Sequence, residues 1–306
     1  MTAGDLAGGR GNASAWQAVG IPALFVLLWS TGFIGARLGL PYAEPLTFLT
    51  LRYGMAAALL LLVSLAMRAP WPRRLSEIGH FAVAGLLVHG VYLGGVFVAI
   101  SMGVEAGVSA LIVGLQPLLT AAFAGIILGE RVIGRQWLGM ALGLAGVALV
   151  LAGKLGQGPG SVAGSLACVA ALLGITAGTL YQKRFCTGMD LRTGSVVQFV
   201  AAALATAPFA FWLEDQTLVW SGEFVFALLW LVLMLSLGAV SLLYVLIRRG
   251  AASQVASLFF LVPPCTALHA WPLFGETLGP WALLGMIFTA VGVALATHSR
   301  SQVERS

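Results

Sequence analysis

Stretches of about 20 apolar residues, the length a helix needs to cross some 30 Å of hydrocarbon, alternate along the chain with short polar or Gly/Pro-rich breaks. Ten can be placed, at 21–40, 45–67, 79–101, 105–128, 135–153, 161–182, 193–213, 224–247, 252–274 and 280–298. The punctuation is brief, as in RAPWPRRLSE (68–77), GKLGQGPG (153–160) and EDQTLVWSGE (214–223). The stretches are too long for strands and show no sustained alternation. The pattern predicts an all-α polytopic membrane protein with ten transmembrane helices. The first twenty residues carry Asp5 and no apolar core, so the first stretch reads as a span and not as a cleaved leader.

Composition excludes the soluble classes. Of 306 residues, 59% are hydrophobic and 9% charged, against about 45–50% and 25% in soluble domains. The charges that exist set the orientation. Thirteen of the sixteen Lys and Arg residues fall on the side holding the N-terminus, two (Arg37 and Lys154) on the other, and Arg52 within the second span. By the positive-inside rule both termini are cytoplasmic, as expected in a bacterial inner (plasma) membrane. The basic residues are scattered over loops, so nucleic acid is not an expected partner. Trp16, Trp71, Trp137, Trp212, Trp220 and Trp281 fall near span ends, as an interfacial aromatic belt requires. Cys168, Cys186 and Cys265 show no paired spacing, so neither a disulfide nor a metal site is expected.

The chain repeats itself. LGMALGLAGVAL (138–149) overlies LGMIFTAVGVAL (284–295) at an offset of 146 with seven of twelve positions identical, and the Gly-Glu pairs at 129–130 and 275–276 share that offset. Pro117 overlies Pro264 at 147, and Thr31 overlies Thr176 at 145. The expected organisation is a tail (1–20), a five-helix repeat (21–153), a second one (161–298) and a tail (299–306). Five is odd, so the second repeat enters the membrane from the opposite side. Inverted repeats are the architecture of alternating access, with the substrate near the midplane at helices broken in matching places. The matching breaks predicted here are Pro117 and Pro264, each removing a backbone donor and freeing the carbonyl four residues earlier, at Val113 and Phe260.

At several motifs the chain resembles the drug/metabolite transporter superfamily and, within it, the EamA-type ten-helix exporters. LLWSTGFIGARLGL (27–40) looks like the family's first helix and EPLTFLTLRYGMAAALLLL (44–62) like its second. LQPLLTAAFAGIILGE (115–130) and LVPPCTALHAWPLFGE (261–276) resemble the helix ending in Gly-Glu in each repeat. The look is nearest that of YddG-type bacterial amino-acid exporters. The resemblance implies a central cavity walled by helices one to four and six to nine, with the fifth and tenth as peripheral supports. The residues agree independently. Gly139 and Gly146, like Gly285 and Gly292, lie seven apart on one helical face, which suits close helix contact.

Candidate chemistry is sparse. Arg52 is the charge placed inside a span, and an intramembrane charge is costly enough to suggest a function, here attraction of a substrate carboxylate. His89 and Tyr92 share a face of span three, and Ser109, Gln116 and Thr120 form a polar stripe on span four. His89 is expected to face the substrate and to take little part in helix packing. Phe97, Tyr244 and Phe260 are candidate apolar walls, with Thr31 and Thr176 in equivalent places in spans one and six. No phosphate-binding loop follows a strand, no Asp lies within a span, and no hydrolase or metalloprotease motif occurs. ATP-driven transport and a membrane enzyme are therefore set aside, and no cofactor is expected. The expected activity is secondary export, by alternating access, of amino acids with aromatic or large apolar side chains; the alternative is an exporter of other uncharged metabolites or drugs. A zwitterion or a neutral molecule is the expected cargo. The partners are then a small-molecule substrate and the lipid bilayer, with a monomer as the open default.

Overall fold

The computed structural model describes residues 20–120, 123, 134–154, 159–249, 258–276 and 279–298. The two tails, the first Gly-Glu pair and the side chains of Tyr244 and Phe260 lie outside the described residues. Among the described residues the protein is helical, with no strand beyond one isolated bridge between Ala43 and Leu218.

In chain order, α1 is Ile21–Gly39 and α2 is Pro45–Ala66. α3 is Leu75–Ser101, with a π-helical stretch at Leu86–Leu93, and α4 is Ala106–Thr120. α5 is Gly134–Lys154, α6 Pro159–Phe185 and α7 Leu191–Leu213. α8 joins Gly222–Trp230, the π-helical Leu231–Ala239 and Val240–Arg249; α9 is Val262–Phe274 and α10 Pro280–His298. Six of these carry apolar segments long enough to cross a membrane: Ile21–Gly39, Pro45–Ala66, Leu75–Ser101, Val162–Phe185, Leu191–Leu213 and Gly222–Leu243. Shorter apolar segments occur at Ala106–Thr120, Trp137–Gly146 and Leu283–Gly292.

The helix starts have local causes. α1, α2 and α9 carry a proline at the first or second position, and α10 begins on Pro280. The missing N–H has no intrahelical partner there anyway. Asp190 caps α7 by accepting from the Arg192 and Thr193 amides (3.0 and 3.4 Å), and Ser221 caps α8 by accepting from Phe224 (3.1 Å). α9 ends at Gly275, whose φ of +65° suits a residue without a Cβ.

Packing ties the halves together. α2 lies along α7, α4 along α9 and α5 along α10. The first helix of each half docks into the other half: α1 packs on α8 and α9, and α6 packs on α3 and α4. The outer surface is apolar, with Leu204, Phe211 and Trp212 exposed by 71, 69 and 78%, as suits contact with lipid. Trp71, Trp137, Trp220 and Trp281 are likewise exposed, as interfacial anchors are. This is a multi-pass membrane protein.

The α5–α10 contact is made through glycine, as the spacing predicts. A Cβ on Gly146 would lie 2.6 Å from the Gly285 carbonyl oxygen, and one on Gly292 would lie 2.5 Å from that of Gly139. Those neighbours are backbone and cannot step aside. Gly146→Leu and Gly292→Leu should therefore destabilise by about 1–3 kcal/mol through overpacking. Gly54→Leu, with nothing within 4 Å of its added Cβ, should melt close to the parent. Thermal unfolding in detergent checks this, and equal melting of all three variants would mean that α5 and α10 do not meet through these glycines.

Candidate functional site

Where the two halves face each other lies a cavity of about 410 Å³, within the range of about 300–1,000 Å³ usual for small-molecule sites. Its walls come from α1 to α4, α6 to α8 and Phe259 ahead of α9, and no described residue of α5 or α10 reaches it.

Matched departures from α-helix geometry shape these walls. The π-helical stretch of α3 supplies Val88, His89, Tyr92 and Leu93, and that of α8 supplies Leu235 and Ser236. The two stretches begin at Leu86 and Leu231, at the spacing of the internal repeat. π turns widen a helix and recur at functional sites. The Ser236 hydroxyl donates to the carbonyl of Leu231, five residues back, at 3.1 Å. A second matched pair interrupts α4 and precedes α9. The α4 helix breaks at Gly114 and Leu115, and a 3-10 turn at Phe259–Leu261 comes before Val262. Pro117, which lines the cavity, follows the first break by two residues. Pro264 is the third residue of α9, where an N–H lacks an intrahelical acceptor; it opens that helix and does not line the cavity.

Arg52 enters from α2 and is buried. Its Nη2 lies 3.5 Å from the Ser236 hydroxyl, long for a hydrogen bond. Its guanidinium carbon stands 6.0 Å from the Phe97 ring centroid, and its Nε has no partner. Among the described residues no carboxylate pairs with it. Two further orphan polar atoms belong to the same walls, His89 Nδ1 and Thr120 Oγ1. Gln116 also lines the cavity and donates to Thr179 Oγ1 at 3.0 Å. The remaining surface is largely aromatic, from Trp29, Phe33, Tyr92, Phe97, Phe199 and Phe259.

His89 is more tightly held than its sequence context suggests. Its ring stacks on Phe199, with centroids 4.2 Å apart, and lies 5.9 Å from Tyr53. The Tyr53 hydroxyl donates to the His89 carbonyl at 2.7 Å. The expectation that this side chain takes little part in packing is thus corrected: His89 both lines the cavity and props it. Thr31 and Thr176 are not among the walls. The Thr31 hydroxyl donates to the Leu28 carbonyl (2.6 Å) and accepts from Trp230 Nε1 (2.9 Å), while Thr176 donates to the Leu172 carbonyl (2.7 Å).

The repeat could have found two residues that sequence reasoning passed over. At the offset of 146, Arg52 corresponds to Gln198 and Tyr53 to Phe199, and both Gln198 and Phe199 line the cavity. Lys183 was expected in a solvated loop. It is instead the last-turn residue of α6 that flanks the mouth, exposed beside Thr187.

Away from Lys183, two carboxylates cap helices of the other half. Glu214, after α7, accepts from the amides of Leu46 and Thr47 (both 2.7 Å) at the start of α2. Glu276, after α9, accepts from the amides of Ala106 and Gly107 (3.2 and 3.4 Å) at the start of α4, and Arg37 Nε lies 3.7 Å from it. Helix N-termini favour anions, so these caps are electrostatic as well as geometric. Tyr42 accepts from the Val219 amide at 2.8 Å beside them.

The comparisons agree with this architecture. The model of the EamA-like transporter family matches twice, over residues 18–152 and 162–297. An uncharacterized transporter, YvbV of Bacillus subtilis (strain 168), is 27% identical over 92% of this chain and 92% of its own length. A protein of Streptantibioticus cattleyicolor named "Probable terminal-alkyne amino-acid exporter" is 27% identical over 91% of this chain and 93% of its own. A solved crystal structure superposes with a TM-score of 0.63 at 23% identity, over 94% of this chain and 99% of that one, a likeness of fold alone. With both halves matched, the chain belongs to the EamA-like transporter family of the drug/metabolite transporter superfamily, as a membrane transporter of two EamA repeats and not an enzyme.

Proposed function

We propose that the protein is a secondary transporter that exports amino acids with aromatic or large apolar side chains across the bacterial inner membrane by alternating access. The observation that carries this reading is the cavity: a buried guanidinium with no counter-ion among the described residues faces a largely aromatic chamber. A guanidinium can hold a substrate carboxylate through two parallel hydrogen bonds, and the rings of Trp29, Tyr92, Phe97 and Phe199 can cover an apolar side chain. The name of the Streptantibioticus relative points the same way.

The proposal includes ten spans in two inverted repeats, 21–153 and 161–298, with both termini cytoplasmic. The thirteen-to-two distribution of basic residues supports it. So does the reciprocal docking of α1 and α6, which a two-fold axis in the membrane plane would generate. On this topology Lys183 and Thr187 face the cytoplasm and the Glu214 and Glu276 caps lie outside. The conformation is therefore inward-open, and export requires both caps to release.

Topology is read by a membrane-impermeant thiol reagent on intact cells, in a background lacking the native cysteines. Cysteine at 105 or 220 should label and cysteine at 72 should not; the reverse pattern would invert the protein. Glu276→Gln should raise labelling of cavity cysteines from outside, because the amide caps the α4 terminus more weakly than the carboxylate does. Unchanged labelling would remove Glu276 from the seal. In sealed proteoliposomes L-phenylalanine should move down its gradient in a saturable way. His89→Ala should slow that flux and also lower the melting temperature, since it removes a ring stacked on Phe199. An exporter of unrelated metabolites would leave amino-acid flux at background.

A further inference from the structure

The charges around the cavity have one sign. Arg52 sits at its depth and Lys183 at its mouth, and among the described residues no Asp or Glu lines it. The unspent hydrogen-bonding capacity matches that charge. Among the described residues Arg52 Nε is a buried donor with no acceptor, and Nη2 reaches a hydroxyl, that of Ser236, at 3.5 Å. Buried polar atoms in native proteins are nearly always satisfied, so such a group marks a missing partner. A carboxylate supplies two acceptors in the geometry a guanidinium fits.

An ammonium group finds no opposite charge there among the described residues. Gln116 and Gln198 spend amide hydrogens on Thr179 and Met189, and the side-chain carbonyl oxygens they keep carry only partial charge and cannot neutralise an ammonium. Of the aromatic rings in the wall, Phe97 already faces Arg52. In surroundings of low dielectric, a second cation beside Arg52 is repelled more strongly than in water.

Building on the transport reading above, we infer that the cavity selects organic carboxylates of net negative charge over zwitterions. The class is an apolar or aromatic amino acid whose amine is acylated or otherwise uncharged, and the membrane potential drives its export. The interior of a cell is negative, so an anion leaving it moves down the electrical gradient. One charge crossing 100 mV corresponds to an approximately fifty-fold concentration ratio. Such export needs neither ATP nor a proton-carrying carboxylate in the pathway, and Lys183 raises the local concentration of anions at the inner mouth.

Four probes of one shape separate the possibilities: N-acetyl-L-phenylalanine (anion), L-phenylalanine (zwitterion), N-acetyl-L-phenylalaninamide (neutral) and phenethylamine (cation). By tryptophan fluorescence in detergent, the anion should bind at least ten-fold more tightly than the zwitterion, and the cation least of all. Arg52→Gln should weaken the anion at least ten-fold and leave the neutral amide within two-fold. Lys183→Glu, at an exposed position that folding does not depend on, should slow anion flux several-fold without changing that of the amide. In proteoliposomes with a potassium diffusion potential, anion flux should rise with potential while phenylalanine flux stays flat. Tighter binding of phenylalanine than of its N-acetyl form, or an Arg52→Gln effect equal on anion and amide, overturns the inference. Saturable flux of phenylalanine with none of the anion overturns it and leaves the transport reading standing. No flux of any probe overturns both.

Discussion

Hydrocarbon offers no hydrogen bonds, and that single property of the solvent organises this molecule. Every polar atom within the bilayer must find its partner inside the protein or face water through a cavity. Hydroxyls comply by bonding their own helices, as Thr31, Thr176 and Thr206 do to carbonyls three or four residues back. Against that background the unmet atoms stand out. Five buried side-chain atoms lack partners among the described residues, and three of them, on Arg52, His89 and Thr120, surround one chamber. Their clustering around one chamber distinguishes a candidate site from scattered packing faults.

The chamber exists because two helices depart from α geometry at the same place in each repeat. A regular helix at 86–93 and 231–239 would close more tightly on its neighbours. The glycines of α6 bring that helix against the π stretch of α3, where a Cβ on Gly174 would lie 3.0 Å from the Tyr92 amide nitrogen and one on Gly178 would lie 2.6 Å from Val88. The repeat thus duplicates the wall-forming irregularities and lets the side chains on them diverge: His89 corresponds to Leu235, and Arg52 to Gln198. The backbone irregularities are shared by the repeats while the chemistry on them differs.

Much of this was legible in residue order, because hydropathy and repeat spacing are properties of backbone and solvent. The apolar stretches, the glycine contact of α5 with α10, and Arg52, His89, Tyr92, Phe97, Gln116 and Pro117 as wall residues all followed from periodicity, repeat arithmetic or the cost of burying charge. The misses share a cause. Whether a hydroxyl at a helical position points into a cavity or back to its own helix depends on rotamer, so Thr31 and Thr176 read as candidates and proved to be spent on their helices. Lys183 lies at the end of an apolar stretch, and only the path of α6 tells a loop charge from a mouth charge. π geometry leaves no clear mark in composition, and it went unforeseen in both repeats.

The seal at the far end has a property of its own. Glu214 and Glu276 grip main-chain N–H groups at positions 46, 47, 106 and 107, and every residue except proline carries that group. On the helix-start side the grip falls mainly on backbone, joined by the Thr47 hydroxyl, which donates to Glu214 at 2.8 Å. Most substitutions at the helix starts keep these backbone donors, whereas a change of either acid weakens or removes the acceptor. A pair of repeats can in this way diverge far in sequence and still meet at the same helix starts.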